Sequence, residues 1–136
     1  MSKMVKQGFV PMIPPYLVRE PAMYGTGFFP ADRSQIYEVN PEEDDLFLIG
    51  TSEVPVTSYH SGEIVDVENT IKYLGYSTCF RREAGTYGKD MKGILRGHQF
   101  DKIEMVCFAK PEDSHRVHDE MVALEESIWS DRKSTR

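Results

Sequence analysis

The chain has 136 residues, 40% hydrophobic and 28% charged, which suffices for one compact domain and is too short for two. Its formal net charge is −6, with 16 Lys+Arg against 22 Asp+Glu. That excludes a surface basic throughout, of the kind that grips nucleic acid by its phosphates, but leaves room for a local basic pocket. Two cysteines, Cys79 and Cys107, exclude a disulfide-dense secreted scaffold and read as small buried hydrophobes. No apolar run reaches the roughly 20 residues of a membrane span, and the first residues show no signal-peptide core, so a soluble, cytoplasmic domain without membrane contact is expected.

Val5-Lys6-Gln7-Gly8 reads as a helix end, with Gly8 free to take a left-handed cap; a helix end so near Met1 implies chain upstream. Phe9 to Pro15 is apolar but holds three prolines, which fits an edge strand or an extended interface segment. Leu17 to Tyr24 is expected as a short helix ended by Gly25 and Gly27, with Pro21 limiting where it starts. Gln35 to Val39 reads as a strand, Asn40 to Asp44 as a turn, and Leu46 to Ile49 as a buried strand. Gly50-Thr51-Ser52-Glu53 then switches to helix, with Thr51 or Ser52 as the cap and Glu53 in the first turn, and Ser61-Gly62-Glu63 ends it. Tyr76–Glu83 and Ile94–Phe108 are expected to pair as an antiparallel hairpin around a mobile glycine-rich loop, Ala84 to Gly93. Pro111 opens a last helix whose Val117, Met121, Leu124 and Ile128 form one apolar stripe. Residues 130–136 have no periodicity and read as a tail, disordered or foreign to the domain formed by 1–129.

Two clusters invite chemistry. Period-two alternation puts Cys79, Arg81 and Glu83 on one face of the first hairpin strand. On the second it groups Arg96, His98, Phe100, Lys102, Glu104 and Val106. An exposed sheet with charged cross-strand pairs would look the same. However, the adjoining loop carries Lys89 and Lys92, and arginine forks beside a cationic loop suit a polyphosphate. Thr51-Ser52-Glu53 is either an ordinary helix start or a small polar pocket for an ammonium group or an alcohol. His115 and His118, three apart, read as a solvated helix face without a third metal ligand.

Three segments together resemble the catalytic domain of the seryl-tRNA synthetases, class II aminoacyl-tRNA synthetases. Residues 8–19, Gly8-Phe9-Val10-Pro11 through Arg19, are similar to the first class signature, which lies at a dimer interface. Gly50-Thr51-Ser52-Glu53-Val54-Pro55 resembles the Thr-x-Glu serine-binding loop. Cys79-Phe80-Arg81-Arg82-Glu83-Ala84-Gly85, with Leu95-Arg96-Gly97-His98-Gln99-Phe100-Asp101-Lys102-Ile103-Glu104, resembles the second signature in its serine-specific form. Arg-x-Glu alone is weak; joined to Arg-x-His-Gln-Phe-x-Lys-Ile-Glu it is specific. The resemblance covers about residues 5–129.

It implies an α+β fold, an antiparallel sheet flanked by helices, forming part of a class II catalytic core. It implies ATP and Mg²⁺ as cofactors, with Arg81 catalytic at the α-phosphate. Arg82, Glu83 and the backbone of Gly97 would complete the nucleotide site. Thr51, Ser52, Glu53 and Glu104 would contact L-serine. The implied reaction is serine activation to seryl-adenylate and transfer to tRNA(Ser), by a homodimer joined through residues 8–19. Gly97 stands where a valine-like residue is expected. The family's tRNA-gripping helical hairpin and its third signature arginine have no counterpart in this chain, which reads as the middle of a catalytic domain. Two other readings share the fold: a non-catalytic dimerisation or binding module, and a ligase that loads an amino acid onto a carrier protein.

Overall fold

The computed structural model describes residues 1–85 and 96–133, with no side-chain description at 132 and 133. It contains two three-stranded sheets and four α-helices among the described residues. The first helix, α1 (Ser2–Val5), ends in a turn in which the Gly8 amide donates to the Val5 carbonyl and Gly8 adopts φ +87°. Strand β1 (Val10–Met12) follows and pairs in parallel with β5 (Ile71–Phe80). β5 in turn pairs antiparallel with β6 (Gln99–Phe108), giving the order β1-β5-β6. The proline-rich segment is thus an edge strand, as Pro11 requires, and the α+β class holds. The sheet departs from a purely antiparallel one at β1.

Leu17 to Arg19, expected as helix, is strand β2 (Leu17–Arg19). Pairing with Leu46–Leu48 holds these residues extended, and Pro21, tolerated in a first helical turn, marks the start of α2 (Glu20–Gly25). Gln35 to Val39 is mostly not strand. A 3₁₀ turn occupies Arg33–Gln35, and only β3 (Glu38–Val39) pairs with β4 (Leu46–Leu48), which lies between β3 and β2. Val18, Met23, Phe29, Ile36, Phe47, Ile49 and Val54 form one buried cluster there, with the Phe29 and Phe47 rings edge to face at 5.1 Å.

The two sheets meet where β4 ends: the Phe80 amide donates to the Ile49 carbonyl at 2.8 Å. Directly after that join the chain turns into α3 (Glu53–Ser58). The hairpin pairs as expected, but β5 starts earlier than Tyr76 and stops at Phe80, and β6 starts at Gln99. Most of the loop expected at Ala84 to Gly93 lies outside the described residues. Pro111 opens a 3₁₀ turn rather than the helix itself, and α4 (Ser114–Lys133) buries Val117 on the expected stripe. Ser130 to Lys133 continues that helix instead of leaving it, and 134–136 lie outside the described residues. Cys79 is buried, Cys107 is partly buried, and both are free thiols. No helix among the described residues is long and apolar enough to cross a membrane.

Candidate active site

Hairpin register sets the site. Directly opposed residues in an antiparallel pair share a face. Cys79 faces Phe100, Ser77 faces Lys102, and Gly75 faces Glu104. The face therefore carries Phe100, Lys102 and Glu104 at every second position of β6, spanning about 13 Å at 3.3–3.4 Å per residue. Its β5 half is small and buried, which makes room for the start of α3.

Gly75 is what lets α3 close on this face. A Cβ there would stand 2.7 Å from Ser52 Oγ, 3.0 Å from Ser52 Cβ and 3.2 Å from Val56 Cγ2. With only hydrogen in that place, Ser52 and Thr51 reach the carboxylate across the strand. Glu104 Oε2 accepts the Thr51 hydroxyl in a short hydrogen bond, the Ser52 hydroxyl at 3.1 Å and the Glu53 amide at 3.1 Å. Lys102 Nζ donates to Glu104 Oε1 at 3.0 Å and to Thr51 Oγ1 at 2.7 Å. Burial pushes the Glu104 carboxyl up, but the Thr51 and Lys102 hydrogen bonds, the Lys102 charge and the Ser52 hydroxyl outweigh it. The group is held below the ordinary glutamate range and stays ionised. Ser52, expected as a cap, makes no capping bond; its hydroxyl is spent on Glu104, and Thr51 Oγ1 accepts the Glu53 amide at 3.2 Å.

The second half of the site lies just beyond the paired ends of the hairpin. Arg81 Nε donates to the Gly50 carbonyl at 3.1 Å, and the guanidinium stands 5.4 Å over the Phe100 ring. Its backbone is fixed too. The Arg81 amide donates to the His98 carbonyl at 3.0 Å, and His98 Nδ1 reaches the Arg81 carbonyl at 3.1 Å. Glu83 adopts φ +52°, a left-handed conformation that a β-carbon disfavours, and pairs with Arg96 at 2.8 Å. Arg81, Glu83 and Arg96 line a cavity of about 250 Å³ together with Gln35, Ile36 and Gly50. Gly50 links the halves: its carbonyl holds Arg81, and the next residue holds Glu104.

The residues expected to act together fall into these two groups, with differences. Thr51, Ser52 and Glu104 converge. Glu53 contributes its amide, while its exposed carboxylate lines a groove of about 480 Å³ that also opens on Glu104. Arg81 and Glu83 share the smaller cavity. Arg82 does not line it; its amide donates to the Gln35 carbonyl, and its side chain is exposed. Gly97 is exposed and outside that lining. Lys89 and Lys92 lie outside the described residues. Two residues of the site, Lys102 and Gly75, have no expected role in it, although Lys102 stands inside the second-signature segment. Alternation does place Lys102 between Phe100 and Glu104, and a lone glycine in the Tyr73-Leu74-Gly75-Tyr76 run is a usual mark of close backbone approach. His115 and His118 are exposed on α4, and no group of three metal-ligating side chains occurs among the described residues.

Residues 37–134 match the tRNA synthetase class II core domain of the G, H, P, S and T enzymes. The serine–tRNA ligase of Mycobacteroides abscessus is 51% identical over 125 residues, covering 91% of this chain and 29% of that protein. Among solved structures, seryl-tRNA synthetase from Pyrococcus horikoshii complexed with ATP superposes with TM-score 0.87 at 40% identity. That match covers 95% of this chain and 29% of the other. Cytoplasmic serine–tRNA ligase from Naegleria fowleri in complex with AMP gives TM-score 0.86 at 36% identity, covering 95% and 31%. The chain thus spans just under a third of the length of such relatives.

Proposed function

The chain belongs to the class II tRNA synthetase core family, and on that premise we propose that it forms the amino-acid-activating part of a serine–tRNA ligase. L-serine would react with ATP to give seryl-adenylate, which is then transferred to tRNA(Ser). One observation carries this reading. A single turn, Gly50 to Glu53, joins a pinned arginine at a cavity of about 250 Å³ to an ionised carboxylate ringed by hydroxyls. The identity to serine–tRNA ligases supports serine as the amino acid, and the ATP and AMP complexes of similar proteins support the nucleotide.

In this reaction a serine carboxylate oxygen attacks the α-phosphorus and pyrophosphate leaves. Two anions have to meet, and charge builds on the phosphoryl oxygens in flight. A guanidinium already fixed by Gly50 and Phe100 lowers that cost without reorganising. Among the described residues nothing occupies the terminal nitrogens of Arg81. Arg81 is assigned to the α-phosphate, as the resemblance to the second class signature implies. Glu83, oriented by Arg96, and the backbone of Gly97 are assigned to the rest of the nucleotide, with Arg82 at its edge. Thr51, Ser52, Glu53 and Glu104 are assigned to serine. The described residues make no protein cage for Mg²⁺. The ion fits only as a companion of the triphosphate, keeping most of its water ligands, where it would neutralise phosphate charge.

Partners follow from the same reading. Val10, Ile13, Tyr16 and Leu17 are exposed around the edge strand, an apolar surface suited to a second copy through residues 8–19. Contacts with tRNA(Ser) would fall to chain outside this span, and the cytoplasm is the expected location. The test is calorimetric titration of Mg²⁺–ATP into the chain and its Arg81→Ala variant, with serine-dependent ATP–pyrophosphate exchange measured in a protein of the relatives' length carrying this core. Weaker ATP binding by the variant is expected. Equal binding by both would remove Arg81 from the site. Sedimentation of the chain checks the dimer: a monomer at high concentration would count against residues 8–19 as the contact.

A further inference from the structure

We propose that Lys102 is a specificity-determining residue of the amino-acid site, where with Glu104 it reads the ligand's side-chain hydroxyl. The inference rests on the serine reading above and deepens it. It follows from an inventory of donors and acceptors. Thr51 Oγ1 accepts from Lys102 Nζ and from the Glu53 amide, so both of its lone pairs are used and its proton is committed to Glu104. Glu104 Oε2 already accepts three hydrogen bonds, from Thr51, Ser52 and Glu53. Oε1 accepts only one, from Lys102. Among the described residues the cluster therefore leaves one acceptor site open, on Oε1, beside one open donor, the third N–H of Lys102.

That pairing fits a group that both donates and accepts, and an alcohol is the compact one. A hydroxyl carries one hydrogen for Oε1 and lone pairs for Lys102. An ammonium has hydrogens only, and at Oε1 it would lie against the like charge of Lys102. A methyl group leaves both open groups unpaired, which costs more than the lost bond alone. The ligand's ammonium is better served by the exposed carboxylate of Glu53, which shares a groove with Glu104 and makes no ion pair among the described residues. A solvent-facing Lys–Glu pair would be a bland alternative. Yet the Lys102 and Glu104 side chains are only 28% and 22% exposed, and Lys102 bonds the buried Thr51 as well. The lowered pKa of Glu104 is in line with this arrangement.

The test uses the 136-residue chain as wild type, Lys102→Met and Lys102→Arg. Dissociation constants for L-serine and L-alanine are measured by NMR titration, with Mg²⁺–ATP as a third ligand. Carbon-13 shifts of the Glu104 carboxyl follow its ionisation independently of any ligand. Lys102→Met is expected to shrink the serine-over-alanine preference by roughly 10–100-fold, the size of a charge-assisted hydrogen bond. ATP affinity should be unchanged and the Glu104 carboxyl should titrate higher. Lys102→Arg keeps the charge and should restore the Glu104 titration more fully than the hydroxyl preference. Intact serine binding with an unchanged serine-to-alanine ratio in Lys102→Met overturns the role of Lys102 while leaving the serine reading in place. A wild-type chain that binds ATP but shows no preference for serine overturns both.

Discussion

The two halves of the site, the Glu104 half proposed for the amino acid and the Arg81 half proposed for the nucleotide, are built on opposite principles. Around Glu104, each interaction is supplied by packed elements: two hydroxyls and an amide from the start of α3, and an ammonium two residues away on β6. Around Arg81, the residues lie past the paired ends of the strands, and the main ion pair joins a mostly covered Glu83 to a 46% exposed Arg96. A partly buried, many-bonded network is stiff and costly to break, whereas an ion pair open to water is worth little. Under the proposed assignment, the pocket given to serine is the preformed one, while the one given to the nucleotide stays open to water and holds Arg81 at its edge.

The sharpest way to break that contrast is Glu104→Gln in a protein of the relatives' length. The shape survives, but the charge and one acceptor geometry go. Serine-dependent ATP–pyrophosphate exchange should fall roughly 10–10³-fold, on the scale of a lost charge-assisted hydrogen bond plus misorientation, with ATP affinity little altered. Unchanged serine kinetics with weakened ATP binding would move Glu104 to the nucleotide side.

Gly75→Ala comes next. Its new Cβ would sit too close to Ser52 and Val56, the cap and first turn of a helix that cannot retreat without losing Glu104. Urea unfolding of the chain should show a loss of about 1–3 kcal/mol, as for other overpacked sites. Ser52→Gly removes the two nearest atoms and should recover part of it in the double variant.

A smaller effect is expected from acid. Glu104 titrates lower in the folded chain than an ordinary glutamate, so it binds protons less readily there than in the unfolded chain. Its contribution to stability is complete above about pH 4.3, the unfolded value, and is lost as pH falls through its own lower pKa. Lys102→Met should flatten that part of a stability-against-pH curve. Last, Arg96→Gln breaks the exposed pair with Glu83 and should cost at most about 1 kcal/mol in the same unfolding measurement. A loss as large as that of Gly75→Ala would show the nucleotide side to be as rigid as its neighbour.

Much of the site is legible in the sequence, because side-chain alternation is a local property of extended backbone. Period two alone groups Phe100, Lys102 and Glu104, and the switch from Leu46–Ile49 into Thr51-Ser52-Glu53 is marked by hydrophobicity followed by polar helix-start residues. Local pattern fails where pairing overrides it. Leu17 to Arg19 has helix-compatible residues but finds β4 as a partner, and the ends of the hairpin strands are displaced by several residues. What no local pattern holds is register between distant strands and the seating of a helix upon them. Only the tertiary structure puts Gly75 opposite Glu104, sets Ser52 in the space a side chain would have filled, and brings Gly50 against Arg81. Those contacts join residues roughly 20 to 50 positions apart along the chain, and they form because the sheet and α3 bury their apolar faces together. The sequence by itself determined which chemical groups this protein owns and on which faces they stand; the packing of distant segments decided which of them meet.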